Sequence, residues 1–369
     1  IRQGKTPIQS PPYQSNRGEN WSVRSRIELS HIFISKRKTK KKFSSELRMD
    51  LVSNDWVIIA TGRAFRPEKF ARSKKVKETI SSKDCPFCQK EIFKKAIAIR
   101  NKPDGSWFVV SIPNDFPVLF KEDNLYERRE GPNRIMNGLG YHEVIITADH
   151  QKQIAQFSQE EVKMIIDIYQ ERYLDLINKK FIKYISIFHN YGREAGASII
   201  HPHSQLIAIP VLDPDLRDSL DGAESFYRSQ GKCVYCTMID WDIKDGQRII
   251  YQNEKFVVLC PFAPQVSFEI RIYPKEHQPC FEKINEDDKW FFADALQKAL
   301  SKIYLGLKNP AYNFYFHTAP QDGKSYGHYH WHLNILPRTT IWAGFELAAG
   351  IEISTIEPEK AAAFLRKVK

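Results

Sequence analysis

Apolar and polar positions follow one another in an order that this chain runs through twice. His142-Glu-Val-Ile-Ile-Thr147 reads as a strand and leads into Asp149-His150. Ser158 and Glu161 then form an S-x-x-E capping box ahead of an apolar-periodic run, which predicts a helix to about Lys180. A second strand spans Phe181 to Phe188, a small-residue turn runs from Gly192 to Gly196, and His201-Pro-His-Ser-Gln205 continues into Leu206-Ile-Ala-Ile209. The later part of the chain repeats this order. A strand, Phe268-Glu-Ile-Arg-Ile-Tyr273, ends in Lys275-Glu-His277, and Asn285 with Asp288 opens a helix to about Leu307. A strand from Tyr312 to Phe316 and the segment His330-Trp-His-Leu-Asn334 complete it.

From His150 to His201 is 51 positions, and from His277 to His330 is 53. Shared order at shared spacing is the mark of an internal repeat. The pattern predicts an α+β fold of two tandem, related halves, about 44–211 and 230–369. Each is an antiparallel sheet with one long helix, and an Asp/Pro/Ser-rich linker near 212–229 joins them.

The repeat also carries the chemistry. Side chains on a strand alternate between faces, so His201, His203 and Gln205 are expected to project together. Three polar groups on one strand face are costly to bury without partners. Each half further contributes a C-x-x-C pair, Cys85/Cys88 and Cys233/Cys236. Thiolates and imidazoles are borderline-soft donors that suit tetrahedral Zn2+. The first set is Cys85, Cys88, His150 and His201; the second is Cys233, Cys236, His277 and His330. Four protein ligands leave no open position, so both read as structural sites.

A metal on His201 would fix the strand and place His203. A histidine nucleophile needs one ring nitrogen unprotonated, with the other donating to a backbone carbonyl. Such a group suits attack on phosphorus, and Gln205 can hydrogen-bond a phosphoryl oxygen as charge shifts in the transition state.

Composition narrows the classes. The chain has 369 residues, 42% hydrophobic, enough for a sizeable core, and no apolar run approaches a membrane span. Cysteines paired as metal ligands imply a reducing compartment, and the N-terminus lacks the apolar core of a secretory signal, so a cytoplasmic location is expected. The net charge of +11 is concentrated: residues 1–43 hold eleven Lys and Arg against two Glu, a net +9 that leaves +2 for the rest. The run Lys36-Arg-Lys-Thr-Lys-Lys-Lys42 reads as a solvated, disordered extension. A zinc-stabilised nucleic-acid-binding protein using this arm is a competing class, but the near-neutral body and the lack of stacked aromatics among basic residues argue against it.

His201-Pro-His203-Ser-Gln205, with Cys-Pro-Phe-Cys, Asp149-His150 and His330-Trp-His332, resembles the galactose-1-phosphate uridylyltransferase family of the histidine-triad superfamily. The resemblance extends from about Ser45 to Arg366. Ser45-Glu-Leu-Arg-Met-Asp50, Trp56-Val-Ile-Ile-Ala60 and Arg63-Ala-Phe-Arg66-Pro67 are similar to the family's opening. It implies a ping-pong nucleotidyl transfer: His203 attacks the α-phosphorus of a nucleotide-sugar, releases sugar 1-phosphate and passes the nucleotide to a second sugar 1-phosphate. UDP-glucose and galactose 1-phosphate are the implied substrates. Arg63, Arg66, Asn114, Asp115, Asn190 and Ser198 fall where the family binds nucleotide and phosphates, and Glu346 falls in its sugar-side segment, Ala343-Gly-Phe-Glu346. Guanidinium groups suit phosphate and an Asn/Asp pair suits ribose hydroxyls. Histidine-triad hydrolases carry His where Gln205 stands, so Gln favours transfer to a sugar phosphate over transfer to water. The family also implies a homodimer.

There are departures. Thr340 and Glu352 stand where well-known galactose enzymes carry Lys and Gln, and the ending from Ala349 to Ser354 is closer to a bacterial subgroup and to plant-type ADP-glucose phosphorylases. The hexose, the base and the use of inorganic phosphate as acceptor stay open. So does the second metal site, which in some relatives uses a Glu and histidines such as His317 and His332.

Overall fold

Ten strands form one sheet whose two halves mirror each other about its centre. In this computed structural model the described residues are 45–61 and 81–369; Arg63, Arg66 and the basic stretch 1–43 lie outside them. In chain order, the first half supplies β1 (Glu46–Met49), β2 (Trp56–Ile59), β3 (Ala98–Asn101), β4 (Trp107–Pro113), the small hairpin β5 (Glu127–Glu130) and β6 (Asn133–Met136), β7 (Tyr141–Thr147), helix α1 (Gln159–Ile177), β8 (Tyr184–Tyr191) and β9 (His203–Ile209). Helices α2 (Pro214–Gln230) and α3 (Val234–Asp245) follow. The second half supplies β10 (Ile249–Gln252), β11 (Phe256–Leu259), β12 (Ile270–Pro274), α4 (Glu286–Gly306), β13 (Tyr312–His317) and β14 (His332–Pro337). Short elements α5 (Gly344–Ala349), β15 (Ile353–Ser354) and α6 (Pro358–Lys367) close the chain.

The sheet order is β10-β11-β12-β14-β13-β8-β9-β7-β4-β3. Read outward from the centre, 13-14-12-11-10 and 8-9-7-4-3 match element for element, all antiparallel. The halves join where β13 pairs with β8, in the register Asn313↔Asn190 and Phe314↔His189. Gly192 sits at this seam with φ +83, and a Cβ there would meet the Ala311 Cβ at 2.7 Å, so only glycine fits the turn.

Both long helices lie on one face of the sheet. α1 opens on its capping box, with Ser158 Oγ accepting from the Glu161 N–H at 3.2 Å and Glu161 Oε2 accepting from the Ser158 N–H at 2.9 Å. Its stripe Val162, Ile165, Ile166, Tyr169, Tyr173 and Leu176 is buried, spaced by threes and fours as a helix packed on a sheet requires. α4 opens on Asn285, whose Oδ1 accepts from the Asp288 N–H at 2.7 Å, and buries Phe292, Ala295, Leu296, Ala299, Leu300 and Ile303. Lys163 reaches Glu286 and Lys289 reaches Asp167, tying the helices together. Each large apolar side chain buried here stabilises the fold by about 1.5–3 kcal/mol, so this layer fixes the sheet on which the polar residues stand.

Two expectations are corrected. The segment 212–229 joins the halves not as an irregular linker but as most of α2: Asp213 caps it by accepting from the Leu216 N–H at 2.8 Å, Pro214 fills the first turn, and Gly231 ends it in the left-handed region. Leu216, Leu220 and Ala223 supply a short buried stripe that the polar composition masked. Strand β9 begins at His203, so His201 lies before the strand rather than within it.

Candidate functional site

His201 is the joint between a Cys/His cluster that could hold a metal ion and a strand. Its Nε2–H donates to the Thr147 carbonyl at the end of β7, 2.7 Å away, which turns Nδ1 toward Cys85, Cys88 and His150. The Cys88 sulfur lies 3.2 Å from His150 Nδ1 and 3.5 Å from His201 Nδ1; Cys85 lies 3.6 Å from His201 Nδ1, and the two histidine nitrogens are 3.3 Å apart. Ligands at zinc's usual bond lengths in a tetrahedron stand about 3.3–3.8 Å from one another, so this donor set fits the ion.

The second half repeats the arrangement. Cys233, Cys236, His277 and His330 converge, and Cys236 lies 3.3 Å from His277 Nδ1 and 3.5 Å from His330 Nδ1. His330 Nε2 donates to Pro274 O, and His277 Nε2 donates to Gly327 O. Carbonyl acceptors on the outer nitrogens hold these rings in the ligating tautomer.

His203 opens β9 behind Pro202. Its Nδ1–H donates to the His201 carbonyl at 2.9 Å, which leaves Nε2 as the basic nitrogen. The ring is buried, its edge set against Phe87 with centroids 5.0 Å apart. Burial holds its pKa below the ordinary histidine value, so it stays neutral near pH 7. Behind it, on the helix face, Ser204 Oγ meets the Tyr169 hydroxyl at 2.5 Å and His189 Nδ1 at 3.0 Å, which anchors the strand to α1.

Gln205 stands two residues on, on the same face. Its Oε1 is 2.8 Å from Nε2 of His142, on the neighbouring β7. The Asn114 N–H donates to the His142 carbonyl at 2.8 Å, and the Asn114 side chain lies against the His142 ring. Asn190, on β8, accepts from Asn313 Nδ2 at 2.7 Å; Asn313 Oδ1 in turn accepts from Arg338 Nε at 2.6 Å.

Thus His203 and Gln205 on β9 share a sheet face with Asn190 on β8, and Asn114, just past β4, reaches Gln205 through His142 on β7. Asp115 is exposed beside them and pairs with Lys95 at 2.5 Å. Ser198 is exposed in the loop before β9. Glu346 caps the short α5, accepting from the Ala343 N–H at 3.2 Å, and among the described residues no hydrogen bond joins it to the group around His203.

His142, Asn313 and Arg338 are polar residues around this group that the sequence alone did not single out. His142 is a polar side chain at an inward position of an apolar strand, but the repeat has Glu269 at the matching place, so no second histidine drew attention to it. The counterpart of His203 is His332, whose Nδ1–H also donates two residues back, to His330 O at 3.1 Å. Its ring is enclosed by Tyr273, Tyr235 and His317, with centroids 5.0, 5.2 and 5.1 Å away.

Among the described residues no helix is long and apolar enough to cross a membrane. A family model described as galactose-1-phosphate uridyl transferase, N-terminal domain, matches residues 35–212, and one described as a domain of unknown function (DUF4921) matches residues 135–367. An ADP-glucose phosphorylase from Arabidopsis thaliana is 32% identical over 332 residues, covering 88% of this chain and 93% of its own length. A galactose-1-phosphate uridylyltransferase from Thermotoga maritima is 27% identical over 334 residues, covering 88% and 98%. Among solved structures, the Arabidopsis ADP-glucose phosphorylase with bound ADP-glucose superimposes with a TM-score of 0.74 at 31% identity, covering 88% of this chain and all of that one.

Proposed function

Since this chain belongs to the galactose-1-phosphate uridylyltransferase family, we propose that it moves a nucleotidyl group from a nucleotide-sugar to an acceptor phosphate through a covalent intermediate on His203. The observation that carries this is the His203 Nδ1–H bond to the His201 carbonyl, which leaves Nε2 unprotonated on the face shared with Gln205. Nε2 attacks the α-phosphorus, an N–P bond forms, the P–O bond to the sugar 1-phosphate breaks, and that phosphate leaves with the bonding pair. An oxygen of the acceptor phosphate then attacks the same phosphorus and returns the pair to Nε2. Neutral His203 needs no base for either step.

The chain's other residues bind and orient. Asn114 and Asp115 suit the ribose hydroxyls, and the Asn190 NH2 and Ser198 suit phosphate oxygens. Arg63 and Arg66 are proposed for phosphate from the family pattern alone, and Glu346 for the sugar. Cys85, Cys88, His150 and His201 would hold one Zn2+, and Cys233, Cys236, His277 and His330 a second; zinc there would lock the loops from which His203 and His332 begin. These thiolate ligands fit a reducing, cytoplasmic location.

UDP-glucose with galactose 1-phosphate as acceptor is the reading suggested by the Thermotoga relative. ADP-glucose with inorganic phosphate is the second reading, favoured by the 32% identity to the Arabidopsis phosphorylase and by Thr340 and Glu352. Incubation with UDP-glucose or ADP-glucose labelled at the α-phosphate tests both. Acid-labile label on the protein, absent in His203→Ala, is expected from one of them. Its release as UDP-galactose by galactose 1-phosphate, or as ADP by inorganic phosphate, selects the acceptor. No label from either nucleotide on zinc-replete protein would end the transfer reading.

A further inference from the structure

We infer that His142 is a positioning residue that fixes which end of the Gln205 amide faces the reacting phosphate. This rests on the transfer reading above for the phosphate itself; the orientation of the amide follows from hydrogen bonding alone.

The Val118 backbone N–H can only donate, and it lies 3.3 Å from His142 Nδ1. A neutral imidazole that accepts at Nδ1 carries its proton on Nε2. That Nε2–H faces the Gln205 side chain at 2.8 Å and can only donate, so Gln205 must offer it Oε1. The Gln205 NH2 is then the end that remains for the face shared with His203.

Asn114 does not disturb this assignment. Its Oδ1 already accepts from the Phe116 N–H at 2.9 Å, which fixes its own amide. Its Nδ2 lies 3.1 Å from Nε2 and 3.5 Å from Nδ1 of His142. Near-equal distances place it over the ring, not along the in-plane lone pair of either nitrogen.

The Val118 backbone donor thereby determines the state of Gln205 through His142, while the Phe116 donor fixes only the Asn114 amide beside the ring. An NH2 group suits the non-bridging oxygens of a phosphoryl group, whereas a reversed amide would set its carbonyl oxygen against them. Asn114, proposed for the ribose, and the Gln205 amide, proposed for the phosphate, thus meet on one ring, that of His142.

The test compares His142→Gln, which keeps a side-chain NH2, with His142→Glu, which can only accept. Glu would take the Gln205 NH2 and turn Oε1 toward the phosphate. Single-turnover labelling of His203, with whichever α-labelled nucleotide-sugar labels the unaltered protein, is measured for both, alone and combined with Gln205→Ala. Zinc content and melting temperature are matched first. His142→Glu is expected to slow labelling about 100-fold or more with little change in KM, and His142→Gln less than about tenfold. In the Gln205→Ala background His142→Glu should add no more than about threefold, because the two residues act as one unit. Equal rates for the Gln and Glu variants, or a full effect without Gln205, would overturn the assignment. The His142 tautomer, read by long-range proton–nitrogen NMR, is a second measurement that needs no activity: a proton on Nε2 is expected, and one on Nδ1 sinks the inference. If the unaltered protein takes no label at all, the transfer reading fails, and the tautomer still decides His142.

Discussion

The carbonyl of His201 and Nδ1 of His203 are 2.9 Å apart, so a residue of the first metal-ligand set also holds the proton of the proposed nucleophile. The proposed ligand and the proposed nucleophile are thus separated by Pro202 alone.

Metal removal should therefore abolish transfer before it unfolds the chain. Chelation, or Cys88→Ala, is expected to lower nucleotidyl-histidine formation more than tenfold, the order seen when the support of a metal site is lost. Metal analysis should find two zinc ions per chain. Full activity in zinc-free protein would uncouple His201 from His203.

Gln205→Ala should lower kcat about 30- to 1000-fold, a barrier increase of about 2–4 kcal/mol, with a small change in KM, if its amide serves charge that develops in the transition state as proposed. Steady-state kinetics with the preferred nucleotide-sugar check this. An unchanged kcat would remove Gln205 from the site.

His332→Asn should leave the extent of labelling unchanged at one nucleotide per chain, since Tyr273, Tyr235 and His317 close around that ring. Labelled-peptide mapping distinguishes the two histidines; label on His332 would make the second half reactive.

Arg338→Leu removes the cation that holds Asn313 against Asn190. A hydrogen bond to a charged group contributes about 1.5–3 kcal/mol, so kcat/KM should fall about tenfold or more while the zinc content stays constant. No loss would mean that Asn190 needs no such support.

Stability should fall in acid partly through His189, which burial holds at a pKa of about 3 against an ordinary 6.5. The unfolded chain takes this proton below about pH 6.5, and the folded one only near 3. Stability is thus complete above pH 6.5 and is lost as pH falls through that window, by up to about 1.4 kcal/mol per unit. Chemical unfolding at pH 7 and pH 5 should show a shallower loss in His189→Asn; identical slopes would place the proton elsewhere.

The long helices and the two Cys/His clusters were legible because each has a local signature: the capping box at Ser158, the cap at Asn285, the C-x-x-C pairs. Helix α2 was not, because Leu216, Leu220 and Ala223 are few among acids and serines, and its start signal, Asp213-Pro214, also marks loops. The supporting roles of His142, Asn313 and Arg338 were hidden for a different reason. They depend on which strands lie side by side, β7 against β9 and β13 against β8, and register between distant strands leaves no mark on either one alone.

The β8–β13 seam has a consequence for how such a protein can change over time. A lone first half would end on β8 with its N–H and C=O groups open, an edge that invites pairing with other chains. Here the partner is tethered, so the edge is covered whatever the protein concentration. One copy can then keep its chemistry while the other spends its strands on closure, and losing the second reactive centre need not cost the first its scaffold.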